Sequence, residues 1–349
     1  MNQTTAFATL IYGPTRTYKS SSLALAAEYV YHTTGGRKTR LVSTETNAAE
    51  IYQPQIDAGI VEPFWLQRKH NIGPAIRKLC RGEWPAIDPN GGISFLPTPK
   101  EKWGQYGAYI FEGLTTIAER YLRDLADKAR GVSSDKIQNV VYKEDNEVFG
   151  SSTLQQYGDV HKLIMHLITE APKNLWDTSG GGTGWTGVQN VFFTAHQTKG
   201  EDEENNPIYG PATVGKAITG SIIKEMGLVL HHEEVTVTDP PATKGGVPVR
   251  RVEVRAYFAD HPDPDNPNII WKAGMRNAPS ALVRKALLDK WPGGYYIPSL
   301  DPQMSLAEFL VFQDQLKKLA SAEVMKRLGL NQPTPANPTP VGGGTVVSK

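Results

Sequence analysis

The chain has 349 residues, with 37 Lys plus Arg against 36 Asp plus Glu and a formal net charge of +1, so no global field draws it to nucleic acid or anionic membrane and any such contact needs a local patch. Its length suits one large domain with appendages, since domains commonly run to roughly 100–200 residues. The single cysteine, Cys80, excludes an internal disulfide framework and fits a reducing compartment. Cys80 lies in the apolar-periodic stretch 75–84 with no activating neighbour, so it is not read as a nucleophile. The N-terminal MNQTTAFATLIYG lacks the pattern of a secretory signal, and no stretch nears the roughly 18 apolar residues of a membrane span. The expectation is a soluble, cytoplasmic protein without membrane contact.

Residues 6–12 (AFATLIY) form an apolar, β-branched run bounded by Gly13 and Pro14, which predicts a buried strand ending in a turn. Residues 20–31 carry Ala and Leu at helical spacing until Gly35 and Gly36. A second strand at 39–43, a helix from Ala48 and a third apolar run at 61–66 complete a βαβ unit, so a parallel sheet covered by helices is the predicted architecture. Residues 85–107, rich in Pro, Gly and Trp, read as a surface excursion. A strand at 108–111 then leads into a helix with apolar positions from Leu114 to Leu125. The polar stretch 131–153 reads as loop, 154–170 as helix, 176–189 as a glycine-rich loop and 191–195 (VFFTA) as another buried strand, with a charged loop at 199–206. Alternating apolar and polar residues at 234–238, 249–258 and 268–272 predict antiparallel strands with one wet face. Ser305 and Glu308 make a capping pair ahead of a helix reaching about Leu328. Residues 331–349 lack the apolar surface to pack and read as a disordered tail.

The chemistry is concentrated at the first turn. A phosphate loop needs converging backbone N–H groups, a helix N-terminus, a lysine for the β/γ oxygens and a hydroxyl for Mg²⁺. Gly13-Pro14-Thr15-Arg16-Thr17-Tyr18-Lys19-Ser20 supplies all but one part of the pattern G-x-x-x-x-G-K-[ST], because Tyr18 stands where the second glycine belongs. Ser21 follows in the same helical turn. The loop joins the first strand to the first helix, as phosphate binding requires, and this predicts ATP and Mg²⁺ as ligands. The bland alternative is a plain βα turn with a solvated lysine. Glu112 closes the strand YIF, where a carboxylate for Mg²⁺ and the attacking water belongs. Glu45, beyond the second strand in LVSTET, faces the same crevice and is the candidate general base. His196 and Gln197, after VFFTA, stand where a γ-phosphate sensor would be placed. Each could equally be an ordinary residue at a strand end.

Together, IYGPTRTYKSS, LVSTET, YIFEGLT, QQYGDVHKLIMHLI, VFFTAHQTKGEDEENNPIYGPATVGKAI and LVLHHE resemble the phage-encoded nucleotide-binding proteins of the AAA class with a RecA-like core. Members of that family include ATPases that assist single-strand annealing and recombination. The resemblance spans roughly residues 6–280. It implies a RecA-like P-loop ATPase core over 1–280 with an antiparallel extension near 233–275, a helical segment at 281–330 and the tail at 331–349. It carries the phosphate-loop lysine and hydroxyl to Lys19 and Ser20, the strand-end acid to Glu112, the catalytic glutamate to Glu45 and the sensor to His196 and Gln197. It implies side-by-side homo-oligomers, in a ring or filament, with Lys272 and Arg276 as fingers reaching a neighbour's nucleotide. It also implies single-stranded DNA on the loops 142–153 and 199–213, and an annealing or single-strand-binding protein as partner. The second loop carries Glu201, Asp202, Glu203 and Glu204 against Lys199 and Lys216, a poor charge balance for phosphate. Tyr18, Glu112 where an aspartate is commoner, Gly113 in place of a usual serine and the 85–107 excursion depart from the family pattern. A non-catalytic nucleotide-binding scaffold is the alternative. A packaging motor is disfavoured, since no nuclease-like acidic cluster follows the core.

Three further signals are set aside. Gly182-x-Gly184-x-x-Gly187 precedes a strand where dinucleotide binding needs it to follow one. His161 and His166 are five apart and do not share a helix face. His231 and His232 have the acids Glu233 and Glu234 beside them, but adjacent residues on a strand point to opposite faces, so no metal site is read there.

Overall fold

The computed structural model describes residues 7–45, 48–67, 70–87, 92–130, 141–144, 147–150, 154–176, 188–201, 207–213, 219–240, 248–263, 266–275, 296–298, 306–307 and 310–311. The first half runs β1 (Phe7–Tyr12), α1 (Lys19–Thr33), β2 (Lys38–Ser43), α2 (Ala48–Asp57), β3 (Val61–Trp65), α3 (Ile72–Cys80), β4 (Glu83–Ile87), β5 (Ile93–Pro97), β6 (Tyr106–Glu112) and α4 (Leu114–Arg130). It continues through β7 (Val141–Glu144), β8 (Glu147–Gly150), α5 (Leu154–Trp176), β9 (Asn190–Ala195), β10 (Gln197–Glu201), β11 (Pro207–Pro211) and α6 (Thr219–Glu225). The last strands are β12 (Leu228–Asp239), β13 (Val249–Tyr257), β14 (His261–Pro262), β15 (Ile270–Trp271), β16 (Gly274–Met275) and β17 (Tyr296–Pro298).

The main sheet has the order β17-β13-β12-β1-β9-β6-β2-β3, with β16 beside β12. Every pairing from β12 across to β3 is parallel, whereas β13, β16 and β17 are added antiparallel. This is the expected α/β class, a mainly parallel sheet flanked by helices with antiparallel strands added towards the C-terminus. The phosphate-loop strand β1 is central, and β9 separates it from the strand ending in Glu112.

Helices cover both faces, which is why the parallel strands read as continuous apolar runs rather than alternating ones. Ala8, Leu10 and Tyr12 of β1 pack into the core formed with α3, α4, α5 and α6, while Ile11 turns to the opposite core, lined by α1 and α2. Helix α1 lies close to the sheet because its buried side is mostly small: Ser22, Ala24, Ala26 and Ala27 beside Leu23 and Val30. It stops where Gly35 and Gly36 adopt positive φ. The change of burial within β12 follows its sequence: Leu228 to His232 are buried, and from Glu233 onward the strand alternates as it leaves the covered region.

Several expectations are corrected. The 85–107 segment is not a bare excursion: β4 and β5 form a hairpin, residues 100–105 a 3₁₀ turn, and Trp84, Trp103 and Tyr106 are buried. Its anchor is Arg40 of β2. That guanidinium donates to Thr98 Oγ1 and the Tyr109 and Tyr106 hydroxyls at 2.6, 2.7 and 2.9 Å, and it lies 3.8 and 4.4 Å from the Tyr106 and Trp84 ring centres. The 131–153 stretch contains the hairpin β7–β8, and the charged 199–206 loop begins as strand β10, paired with β11. The strand expected at 268–272 shortens to β15, which joins β10, β11 and β14 in a separate four-stranded sheet. The glycine-rich 182–187 segment, the Ser305/Glu308 pair, Lys216, the acids at 202–204, most of 281–330 and the 331–349 tail lie outside the described residues. Among the described residues no helix is long and apolar enough to cross a membrane. Cys80 is fully buried, and burial pushes its thiol pKa up, in keeping with an inert core residue.

Candidate functional site

The loop between β1 and α1 is shaped by a few contacts. Gly13 passes so close to β12 that a Cβ there would overlap the carbonyl oxygen of His232. The buried Thr17 hydroxyl donates to the Pro14 carbonyl at 2.9 Å, and the His232 ring donates from Nδ1 to the Thr17 carbonyl at 2.8 Å. Burial holds the His232 pKa down to about 4, so this donor stays neutral at physiological pH. Arg16 and Tyr18 both have positive φ, 68° and 56°. Tyr18 therefore takes the left-handed conformation that a glycine would reach freely, and its half-exposed ring points away from the core. Such a conformation costs a non-glycine residue about 1–2 kcal/mol.

Lys19 opens α1 and curls over the loop, where its ammonium donates to the Gly13 and Pro14 carbonyls at 3.1 and 2.5 Å. Burial lowers its pKa to about 8, opposed by the nearby Glu45 and Glu112. Both acids lie at the carboxyl ends of adjacent strands, the crevice where ligands of open α/β sheets bind. Glu112 is almost fully buried, and Ser43 of β2 stands opposite it in register. Burial drives the Glu112 pKa up to about 7; the Ser20 and Ser43 hydroxyls and the Lys19 charge pull it down, and Glu45 pushes it further up. Although those hydroxyls are near enough to act on it, neither carboxylate oxygen of Glu112 has a hydrogen-bond partner of normal geometry. A buried carboxylate left without partners is costly, and a cation would relieve that cost.

Glu45 accepts a hydrogen bond from Thr116 Oγ1 at 3.1 Å, and its own N–H donates to Ser43 Oγ. Its carboxylate lies over Gly113, where any Cβ would fall 2.8 Å from Oε1. With φ at 78° as well, Gly113 is the residue this approach requires, which gives a physical reason for its departure from serine. The Gly113 N–H donates to Thr194 Oγ1, and the His196 N–H donates to Thr115 Oγ1, so the ends of β6 and β9 are tied together.

The structure thus brings Lys19, Ser20, Glu45 and Glu112 to one crevice. His196 follows β9 and is held through its backbone, its N–H donating to Thr115 and its carbonyl accepting from Ala212. The Gln197 side chain points instead to β12, its Oε1 3.2 Å from His231 Nε2. Lys272 pairs with Asp260 at 3.1 Å within the same chain, and its carbonyl accepts the Tyr12 hydroxyl. Arg276 lies outside the described residues. One participant was missed by sequence reasoning. The buried Tyr52 hydroxyl on α2 has no hydrogen-bond partner, and burial followed by the charges of Glu112 and Glu45 raises its pKa. Nothing in its helical spacing separates it from a core aromatic.

No family model and no curated protein matches the chain. Among solved structures, it is similar to the KaiC-like protein from the hyperthermophilic archaeon Pyrococcus horikoshii at 10% identity and a TM-score of 0.32, covering 76% of this chain and 88% of that one. It is also similar to the flagellar accessory protein FlaH from Methanocaldococcus jannaschii at 12% identity and a TM-score of 0.31, covering 72% and 76%.

Proposed function

We propose that the protein binds ATP with Mg²⁺ at the loop 13–20 and hydrolyses it. The observation that carries this reading is the buried carboxylate of Glu112 at the end of the central strands, with Ser20, Ser43 and Lys19 as its neighbours and no well-formed hydrogen bond to either oxygen. Ser20 and Glu112 would hold the metal, which supplies charge neutralisation at the β- and γ-phosphate oxygens. Lys19 would exchange its loop carbonyls for phosphate oxygens, and the loop N–H groups and the α1 N-terminus would bind the anion. Glu45, oriented by Thr116, would accept a proton from the attacking water, and His196 would report the γ-phosphate, a role for which the Gln197 side chain, turned to His231, would first have to swing round.

The resemblance extends this reading to a DNA-dependent ATPase of phage recombination, annealing or replication, working in the host cytoplasm. It would act as a homo-oligomer on single-stranded DNA beside an annealing or single-strand-binding protein. Lys272, released from Asp260, and Arg276 are then the residues that would reach a neighbour's nucleotide. The strained Tyr18 supports a second reading, a nucleotide-binding scaffold without turnover.

Calorimetry with ATP and Mg²⁺ tests the site: Lys19→Ala should lose at least tenfold in affinity, and unchanged affinity would sink the assignment. Steady-state turnover with and without single-stranded DNA separates the two readings. An ATPase should lose at least a hundredfold in turnover in Glu45→Gln while retaining nucleotide, whereas a scaffold has no stimulated turnover to lose.

A further inference from the structure

We propose that His231, Glu233 and His261 form a second metal site, of the kind that takes Zn²⁺, joining β12 of the main sheet to β14 of the smaller one. The donor atoms of these three residues lie within 4.8 Å of one another. Two histidine nitrogens and one carboxylate oxygen are a zinc ligand set, leaving a fourth position for water.

The hydrogen bonds on the outer sides of the two rings carry the argument. His261 Nδ1 is 3.2 Å from the Ala259 carbonyl oxygen, which can only accept, so the proton is on Nδ1 and Nε2 presents a lone pair. His231 Nε2 is 3.2 Å from Gln197 Oε1; in this amide orientation its proton is on Nε2 and Nδ1 presents a lone pair, whereas the flipped amide would let Nδ1 donate to His261 instead. His231 Nδ1 and His261 Nε2 face each other at 3.2 Å, and Glu233 Oε2 lies 3.8 Å from His261 Nε2. Either one ring donates a proton across this contact or a cation lies beside both nitrogens and the carboxylate, and the presence of Glu233 within the same 4.8 Å cluster favours the cation. Nitrogens bound to one zinc at about 2.1 Å and a tetrahedral angle stand about 3.4 Å apart, close to the separation seen here. Bringing Glu233 to the ion needs a movement on the order of 1 Å.

The surroundings have the form of a metal site's outer shell. In that amide orientation each imidazole gives its other N–H to a carbonyl oxygen, which fixes tautomer and ring orientation. The Tyr257 hydroxyl is within hydrogen-bonding reach of Glu233. Aromatic rings seal the site: Trp271 and Tyr12 stack on His231 at 4.2 and 4.8 Å, and Tyr257 on His261 at 3.6 Å. Both histidines are buried. The site adjoins the phosphate loop, since Tyr12, which stacks on His231, precedes Gly13, and His232 donates to Thr17, but none of its three ligands has a part in the proposed nucleotide site.

The test uses the full-length, tag-free chain stripped with a chelator, then titrated with Zn²⁺ by calorimetry and with Co²⁺ by visible absorption. One equivalent of each metal should bind, with cobalt giving the intense bands of a near-tetrahedral site, and zinc should raise the thermal unfolding midpoint. Glu233→Gln and His261→Asn should each lose at least tenfold in affinity, and Gln197→Leu, which touches no metal, about 10–100-fold. Circular dichroism checks folding, and Glu233→Gln decides if the histidine variant fails to fold. No metal uptake by the folded wild-type chain, or equal affinity in Glu233→Gln, would overturn the proposal and assign the contact to a proton shared between the two rings.

Discussion

The crevice holds two buried titratable groups whose pH effects oppose each other. Glu112, with its folded pKa raised to about 7, destabilises the unliganded chain as pH rises from about 4.5, where the unfolded carboxyl ionises, to 7. His232, lowered to about 4, acts in reverse: the unfolded imidazole takes a proton below 6.5 and the folded one does not, so stability falls as pH drops from 6.5 to 4. At 1.36 kcal/mol per unit, each effect is worth roughly 3 kcal/mol and the two largely cancel in the wild type. Glu112→Gln should separate them. By denaturant unfolding at pH 7.5 the variant should be about 3 kcal/mol more stable than wild type, with no difference below pH 4.5, and its own stability should drop by about 3 kcal/mol between pH 6.5 and 4. A flat profile in the variant would show that His232 does not stay neutral. Tyr18 supports a simpler expectation. Glycine would relieve its left-handed backbone and give back part of the gain as unfolded-chain entropy, so Tyr18→Gly should stabilise by roughly 0.5–1 kcal/mol. A lower urea midpoint would argue that the tyrosine ring contributes more than the backbone costs.

Among the elements, the β4–β5 hairpin depends most on one side chain. Arg40 satisfies Thr98, Tyr106 and Tyr109 and is itself stacked between aromatic rings. Arg40→Met keeps much of the volume but leaves the fully buried Tyr109 hydroxyl without its donor. The loss should be on the order of 3 kcal/mol. Limited proteolysis should then cut within 83–105 before the rest of the chain, while ATP affinity stays at the wild-type level. Equal cleavage rates in variant and wild type would show that the hairpin holds without the guanidinium. In the sequence this segment showed only Pro, Gly and Trp, because the residue that anchors it lies in β2, some forty positions earlier, and looks there like an exposed charge.

For the molecule as a whole, local period was readable and long-range pairing was not. The βαβ start, β6, α4, β9 and the alternating strands β12 and β13 follow from apolar spacing, which depends on neighbours a few residues apart. Lys19, Ser20, Glu45 and Glu112 could be placed at one crevice because parallel strands all end on the same side. The smaller sheet could not be anticipated, since β11 pairs with β15 across more than sixty residues. The same holds for His231, Glu233 and His261. Because adjacent strand residues face apart, His231 and His232 cannot pair in one metal site, and the i, i+2 pair of His231 and Glu233 gains its third member only through tertiary structure. Gln197, read as a phosphate sensor, contacts this second cluster, so it joins two regions that the sequence treats as unrelated.

The curled Lys19 has a kinetic consequence. Its ammonium already satisfies two carbonyls of its own loop, so an arriving phosphate must compete for a donor that is engaged. Encounter should be fast and followed by a slower first-order step in which the side chain swings from the loop to the ligand. In stopped-flow mixing with a fluorescent ATP analogue, the observed rate should bend to a plateau as nucleotide concentration rises. Lys19→Arg, whose planar fork fits the two carbonyls differently, should shift that plateau. A rate that stays linear in concentration for both proteins would mean that the lysine leaves the loop too easily to limit binding.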